Sequence, residues 1–248
     1  MNQSNQTNKT NQTDHRGSLV VALVPAAGRG LRMGGSVPKQ FLSIGGEPLI
    51  VQSLRVLQAA SAIDQIVLAV PSADIEYCER EIVARHRFTK VTRVVAGGAE
   101  RQDSVRCALA QIPSDTEIVL IHDAVRPFVT QRMVEEVVAA ARKEGAAIIA
   151  LPMRDTVKQV RKDGMIERTV DRNPLWLAQT PQAFRRDWIE TAHRKGQIEG
   201  VQATDDSFLV EWLGHSVAVV EGSGENIKVT RPEDMVIGEA ILAARKAR

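Results

Sequence analysis

Residues 19–41, LVVALVPAAGRGLRMGGSVPKQF, decide how the rest of the chain is read. Six apolar residues, 19–24, predict a strand buried on both faces, because no polar residue alternates with them. The strand opens into a loop holding Gly28, Gly30, Gly34 and Gly35, and glycines let a backbone come close to a ligand. The same loop carries Arg29, Arg32 and Lys39, with no acid before Glu47. Bare amide N–H groups and three cations after a strand predict a polyanion site, best matched by a nucleoside triphosphate. Two other phosphate loops are excluded by spacing. The third glycine of a dinucleotide fingerprint would fall on Met33, and a Walker loop would need Lys where Ser36 follows Gly35. A plain glycine-rich turn is the simpler alternative; Arg32 and Lys39 on the loop decide for phosphate binding.

Downstream, short apolar strands alternate with helices. Residues 48–60 have helical apolar spacing, 66–70 form a strand, and Ser72 is expected to cap a helix to about residue 85. A strand at 91–96 ends in Gly97-Gly98, before a helix carrying Arg101, Ser104, Val105, Ala108, Leu109 and Ile112. A strand at 118–122 leads into HDAVRP, then a Thr130-capped helix to about 144 and a strand at 146–151. This order predicts an α/β fold of three layers, a mostly parallel, Rossmann-like sheet covered by helices on both faces. Ligands of such sheets sit beyond the carboxyl ends of the strands where strand order reverses. The glycine-rich loop, residues 97–104 and residues 123–126 all fall at such ends, so they are expected to share one crevice.

The pattern changes at Met153. VKQVRKDGMIERTV (157–170) reads as two polar strands around the turn Lys162-Asp163-Gly164, too hydrophilic for a core. A projecting β-hairpin arm, about 153–175, is expected, and the simplest surface to receive it is a second copy of the chain. The alternative is a solvated flap. Thr204 is then expected to cap a helix with Leu209, Trp212 and Leu213 facing the core; a strand at 217–220 and a helix at 232–247 close the chain. Residues 19–248 form one expected domain. Residues 1–18, rich in Asn, Gln and Thr, bury nothing and read as a disordered tail. Its N-x-T triplets at Asn5, Asn8 and Asn11 follow no apolar signal segment and read as low complexity.

A net charge of +2 with 25% charged residues gives no global field for nucleic acid, and no apolar run is long enough to span a membrane. Cys78 and Cys107 form no CxxC pattern, which suggests reduced thiols in a cytoplasmic protein. Asp123 follows a buried strand directly, where a carboxylate gains little unless it has a ligand. Beside a triphosphate that ligand is Mg²⁺; a helix cap or a salt bridge to Arg126 is the plainer reading. His122 reads as a packed strand residue. No nucleophile stands with a base. If the acceptor is a phosphate monoester, its second pKa of about 6 makes a general base unnecessary. Arg32, Lys39, Lys228 and Mg²⁺ would supply the charge that such a transfer needs.

PAAGRGLRM with PKQF (25–33, 38–41), GGAERQDSV (97–105), HDAVRP (122–127), RDT (154–156), TVDRN (169–173), QTPQ (179–182), TDD (204–206) and NIKVTRPED (226–234) occur in an order that resembles the 2-C-methyl-D-erythritol 4-phosphate cytidylyltransferase family. The resemblance implies the nucleotidyltransferase type of Rossmann-like fold. It also implies transfer of a cytidylyl group from CTP to methylerythritol phosphate, a phosphorylated polyol, with loss of pyrophosphate, in non-mevalonate isoprenoid synthesis. By position, Arg32, Lys39 and Lys228 are implied in catalysis, the last also near the acceptor. Pro25, Ala26, Ala27, Gly28, Gly30, Gly98, Ser104 and Ala124 are implied in nucleotide binding. Thr156, Arg172, Thr180, Thr204 and Arg126 are implied on the substrate side, and Asp123 as metal ligand. The family's arm crosses to a second subunit, so Thr156 and Arg172 would complete the partner's site in a homodimer. Ala99 stands where the family motif has an acid, which leaves only a backbone role there; Arg29 matches a variable position. Two rival readings are a ribitol-5-phosphate cytidylyltransferase, disfavoured by TVDRN and RDT, and a non-catalytic nucleotide-binding regulator, disfavoured by the presence together of Arg32, Lys39, Asp123 and Lys228. At 248 residues a fused cyclase domain downstream is not expected.

Overall fold

The first strand, β1 (Leu19–Pro25), is wholly excluded from solvent from Val20 to Val24. The computed structural model describes residues 18–28 and 37–247. Gly30 and Arg32, together with residues 1–17, lie outside the described residues. After the glycine-rich loop come a short hairpin, β2 (Ser43–Ile44) and β3 (Glu47–Pro48), then α1 (Leu49–Ala59) and β4 (Gln65–Val70). Next are α2 (Ile75–Tyr77), continued by a π-helical stretch (Cys78–Ala84), then β5 (Val91–Ala96), α3 (Arg101–Leu109) and β6 (Thr116–Ile121). α4 (Gln131–Glu144) and β7 (Ala146–Pro152) precede the arm, β8 (Val157–Val160) and β9 (Ile166–Val170). The chain ends with β10 (Trp176–Arg185), α5 (Arg186–Ile198), α6 (Asp206–Trp212), β11 (Ala218–Glu221) and α7 (Pro232–Lys246).

Seven strands make one sheet in the order β11-β7-β10-β6-β1-β4-β5. Every neighbouring pair is parallel except those of β10, which runs antiparallel to both β6 and β7. The expected three layers are present. On one face, Val20, Ala22 and Val24 of β1 pack with Ile50, Leu54 and Leu57 of α1 and with Val134, Val137 and Ala141 of α4. On the other, Val21 and Leu23 pack with Val105 and Ala108 of α3, Ile189 of α5 and Leu209 of α6. Burying each such Val or Leu contributes about 1.5–3 kcal/mol, so β1 anchors both layers at once. The strand order turns back between β1 and β6, which places the loops after these strands side by side at the sheet's carboxyl edge.

Several expectations change in detail. Ser72 caps nothing: after Pro71 the chain enters a 3₁₀ turn (Ser72–Asp74), and the helix that follows widens to put Cys78 and Ile82 against the sheet. α6 is capped by Asp205, not Thr204; the Asp205 carboxylate accepts from Phe208 N at 3.0 Å, and a negative charge suits a helix start better than a hydroxyl. Trp212 is exposed rather than core, while Leu209 is buried as expected, Val210 joins it, and Leu213 packs against them partly buried. Ile112 and His122 fall just outside the elements expected to hold them. The antiparallel β10 and the helix α5 have no counterpart among the expected elements. Thr130 does cap α4, accepting from Met133 N at 3.3 Å. The helix ends at Gly145, whose φ of 91° and contact with the Trp188 ring leave no room for a side chain.

Candidate active site

The loops after β1, β5 and β6 are stitched together by the backbone. Ala26 N donates to Ala69 O (2.7 Å), Gly97 N to Val70 O (2.8 Å) and His122 N to Leu23 O (2.9 Å). Val229 N donates to Val125 O at 2.9 Å, which brings the segment carrying Lys228 onto the same rim. Asp234, in the first turn of α7, accepts from the amides of Thr230 (2.7 Å) and Arg231 (2.8 Å) and so fixes that segment. Gly97 is required where it stands: a Cβ there would lie 2.4 Å from the Ala27 Cβ.

Together these loops enclose a crevice of ≈ 520 Å³, within the range of small-molecule sites. Pro25, Ala26, Ala27, Gly28, Lys39, Ser104, Asp123, Ala124 and Lys228, all expected from the sequence, line it. Gly98 stands behind the lining, its amide donating to Ser104 Oγ at 3.2 Å, while Ser104 Oγ donates to Glu100 O at 3.1 Å. The Ser104 hydroxyl therefore shapes the loop from within.

Asp123 is the electrostatic centre. Its Oδ1 accepts from Arg101 Nε at 2.7 Å and its Oδ2 from Lys228 Nζ at 2.8 Å, with Arg126 Nε 3.9 Å away. Burial opposes its charge, yet the Arg101 and Lys228 cations hold the carboxyl well below the usual carboxylate range. Arg101 reaches further, donating through Nη1 to Asp206 Oδ2 at 2.7 Å, and His193 Nε2 lies 3.0 Å from Asp206 Oδ1. Burial likewise opposes the Asp206 charge, and Arg101 and His193 outweigh it, so that carboxyl too is lowered.

A smaller cavity of ≈ 230 Å³ adjoins the crevice, sharing Arg101, Asp123 and Lys228 and adding Arg126, Thr180 and Thr204. Arg126 donates through Nη1 to Asn226 O at 2.9 Å. His122 is fully buried, and burial lowers its pKa to about 4, so the ring is neutral. Its Nε2 lies 3.1 Å from Arg126 O, an acceptor, so the proton sits on Nε2. Nδ1 then accepts from the Thr180 hydroxyl (3.1 Å), whose oxygen accepts from Asp123 N (3.1 Å). His122 thus orients Asp123 through Thr180, and the Thr180 hydroxyl proton is already committed.

Thr156 and Arg172 are not brought to the crevice of their own chain. They line a separate hollow at the root of the arm, where Arg172 donates to Arg154 O. Sequence reasoning also missed Arg101 and Gln40. Arg101 had a signal: it is the first residue of α3, where the helix dipole disfavours a cation. Two carboxylates explain it. Gln40 lines the crevice with its amide unpartnered among the described residues, and nothing in its local sequence marks it.

A hard divalent cation fits this donor set. Asp123 is ionised, lines the crevice and keeps a second lone pair on each oxygen. Among the described residues no group of three or more His, Cys, Asp or Glu side chains stands together, so phosphate oxygens would supply most of the shell.

The family model for 2-C-methyl-D-erythritol 4-phosphate cytidylyltransferase matches residues 20–244. The chain belongs to this family. It is 48% identical over 229 residues to the 2-C-methyl-D-erythritol 4-phosphate cytidylyltransferase of Syntrophus aciditrophicus, covering 92% of this chain and 98% of that one. It is 46% identical to that of Geobacter metallireducens, covering 90% and 97%. Among solved structures it resembles the 4-diphosphocytidyl-2C-methyl-D-erythritol synthase of Anaerococcus prevotii, with a TM-score of 0.81, 31% identity and coverage of 91% and 96%. The Thermus thermophilus cytidylyltransferase gives a TM-score of 0.74 at 34% identity, covering 90% and 98%. The chain is therefore a nucleotidyltransferase, with the three-layer fold and arm expected of it. No helix among the described residues is long and apolar enough to cross a membrane.

Proposed function

We infer that the chain transfers the cytidylyl group of CTP to 2-C-methyl-D-erythritol 4-phosphate, giving 4-diphosphocytidyl-2-C-methyl-D-erythritol and pyrophosphate in isoprenoid precursor synthesis. The observation that carries this reading is the meeting of Lys39, Lys228, Asp123 and the Ala26–Gly28 backbone in one crevice at the strand-order reversal. The triphosphate lies along that backbone and Lys39, and the acceptor phosphate enters from the side of Lys228 and Arg126. An acceptor oxygen attacks the α-phosphorus in line as the bond to the β-phosphate oxygen breaks, and pyrophosphate leaves with the electron pair. Because the acceptor is largely dianionic at neutral pH, no side chain need take a proton. Lys39 and Lys228 reduce repulsion between the two polyanions and stabilise the charge that builds on the transferred group. Mg²⁺, held by Asp123 and phosphate oxygens, would supply further charge neutralisation.

The arm reading extends to a homodimer. Met165, Ile166, Trp176 and Leu177 are exposed apolar residues on or beside the arm, and Thr156 and Arg172 sit apart from their own crevice. A second copy seated on this surface supports both facts at once. The two unbridged cysteines suit a cytoplasmic setting. The test is pyrophosphate release from CTP and Mg²⁺, with methylerythritol phosphate and ribitol 5-phosphate compared as acceptors. Methylerythritol phosphate should be strongly preferred; release with ribitol phosphate alone, or with neither, refutes the reading.

A further inference from the structure

The Asp123 carboxylate faces three cations, Arg101, Lys228 and Arg126. Alone among them it would carry an excess of positive charge that repels a divalent ion. A second carboxylate stands behind. The Asp206 side chain is 1% exposed, lies outside the lining of the crevice and takes half of the Arg101 fork, Nη1 to Oδ2 at 2.7 Å, while Nε serves Asp123 at the same distance. Its other oxygen meets His193 Nε2 at 3.0 Å, so both oxygens have a partner. The neighbouring Asp205 caps α6 and Ser207 N donates to Gln182 Oε1 at 3.1 Å, which fixes the backbone on either side of Asp206. Arg101 also lines every cavity that meets at this point, so its position decides the shape and the charge of each.

We propose that Asp206 is a positioning and charge-balancing residue for Asp123: by anchoring Arg101 from behind, it fixes the Asp123 carboxylate and offsets one of its cations, so that a divalent ion arriving with a triphosphate is accepted there. This deepens the reading above and rests on Asp123 being the metal's carboxylate. Without the Asp206 charge the cations around Asp123 favour the bare triphosphate and oppose its metal. A role confined to stability would move both in the same direction.

The experiment uses the full chain and measures CTP affinity by equilibrium dialysis, once with Mn²⁺ and once with EDTA, with bound Mn²⁺ read by electron paramagnetic resonance. In Asp206→Asn the ratio of the two affinities should fall about ten-fold, the scale of one unit charge acting on a divalent ion several ångström away, while the EDTA value holds or improves. Arg101→Gln combined with Asp206→Asn removes one charge of each sign and should restore the ratio. A parallel loss of both affinities, or an unchanged ratio, overturns the proposal. If the single variant does not fold, the double variant decides: a wild-type ratio supports the proposal and a collapsed one overturns it. Asp123→Asn separates the two layers of inference. An unchanged ratio there removes the metal from Asp123 and takes both down, whereas a ratio lost there but kept in Asp206→Asn overturns this proposal alone.

Discussion

Replacing Gly97 by alanine tests whether the crevice depends on the close approach of two loops. The new Cβ would lie 2.4 Å from Ala27 Cβ and 2.8 Å from Ser104 Oγ. Carbon atoms rest about 3.5–4.0 Å apart, so the loops after β1 and β5 must part by roughly 1 Å. Ala27 cannot rotate its methyl away, because a Cβ is fixed to the backbone, and Gly97 N is itself tied to Val70 O. Overpacking of this kind costs about 1–3 kcal/mol, which for a chain of this size lowers Tm by roughly 2–12 °C. The functional effect is larger than the stability effect, since a displacement of about 1 Å near reacting groups costs on the order of 100-fold in rate. Differential scanning fluorimetry and steady-state pyrophosphate release would measure the two effects, with Gly224→Ala as control, because a Cβ at Gly224 meets nothing within 4 Å. A Gly97→Ala protein with unaltered Tm and unaltered CTP affinity would refute the claim that the two loops form one surface.

Lys39→Ala should lower kcat roughly 100-fold or more, the usual loss for a transition-state donor; near-normal turnover in the same assay removes Lys39 from catalysis. Arg172→Ala should raise the KM for the acceptor much more than that for CTP, and equal changes would separate the arm from the acceptor. His122 predicts an acid-sensitive fold. Its pKa of about 4 lies below the usual His value, so stability is intact above about pH 6.5 and is lost as pH falls towards 4, by about 3 kcal/mol in all. Urea unfolding across that window should show a flatter slope for His122→Gln, and an unchanged slope would place the acid sensitivity elsewhere.

The parts of the molecule that declare themselves in the sequence are those where composition and burial agree. β1, β4 and β6 are apolar runs buried on both faces, and the loops after β1, β5 and β6 carry glycine or charge, so sheet and crevice could be read together. β10 could not, because Gln179, Thr180 and Gln182 are polar and yet buried. Gln179 pairs with Ser223 O and with Asn226, and Gln182 with Asp205, so the partners that make a polar strand tolerable come from a distant part of the chain. Arg101 was hidden for the same reason: its two carboxylates lie 22 and 105 residues away. The cap on α6 was misplaced by one residue because TDD offers three capping residues in succession. The arm was legible from its polar composition and its Lys162-Asp163-Gly164 turn, where φ at Gly164 is 84°.

β10 also couples two places that a surface view would treat as separate. Trp176 pairs with Pro152 at the root of the arm, and six residues along the same strand Gln182 pairs with Ile121 and Ile148 in mid-sheet, just past the Thr180 hydroxyl that holds the Asp123 amide. Between those two pairs the ladder to β7 slips, and in the gap Asn226 Nδ2 donates to Thr180 O at 2.9 Å, so one unbroken run of backbone carries the arm's root at one end and the support of Asp123 at the other.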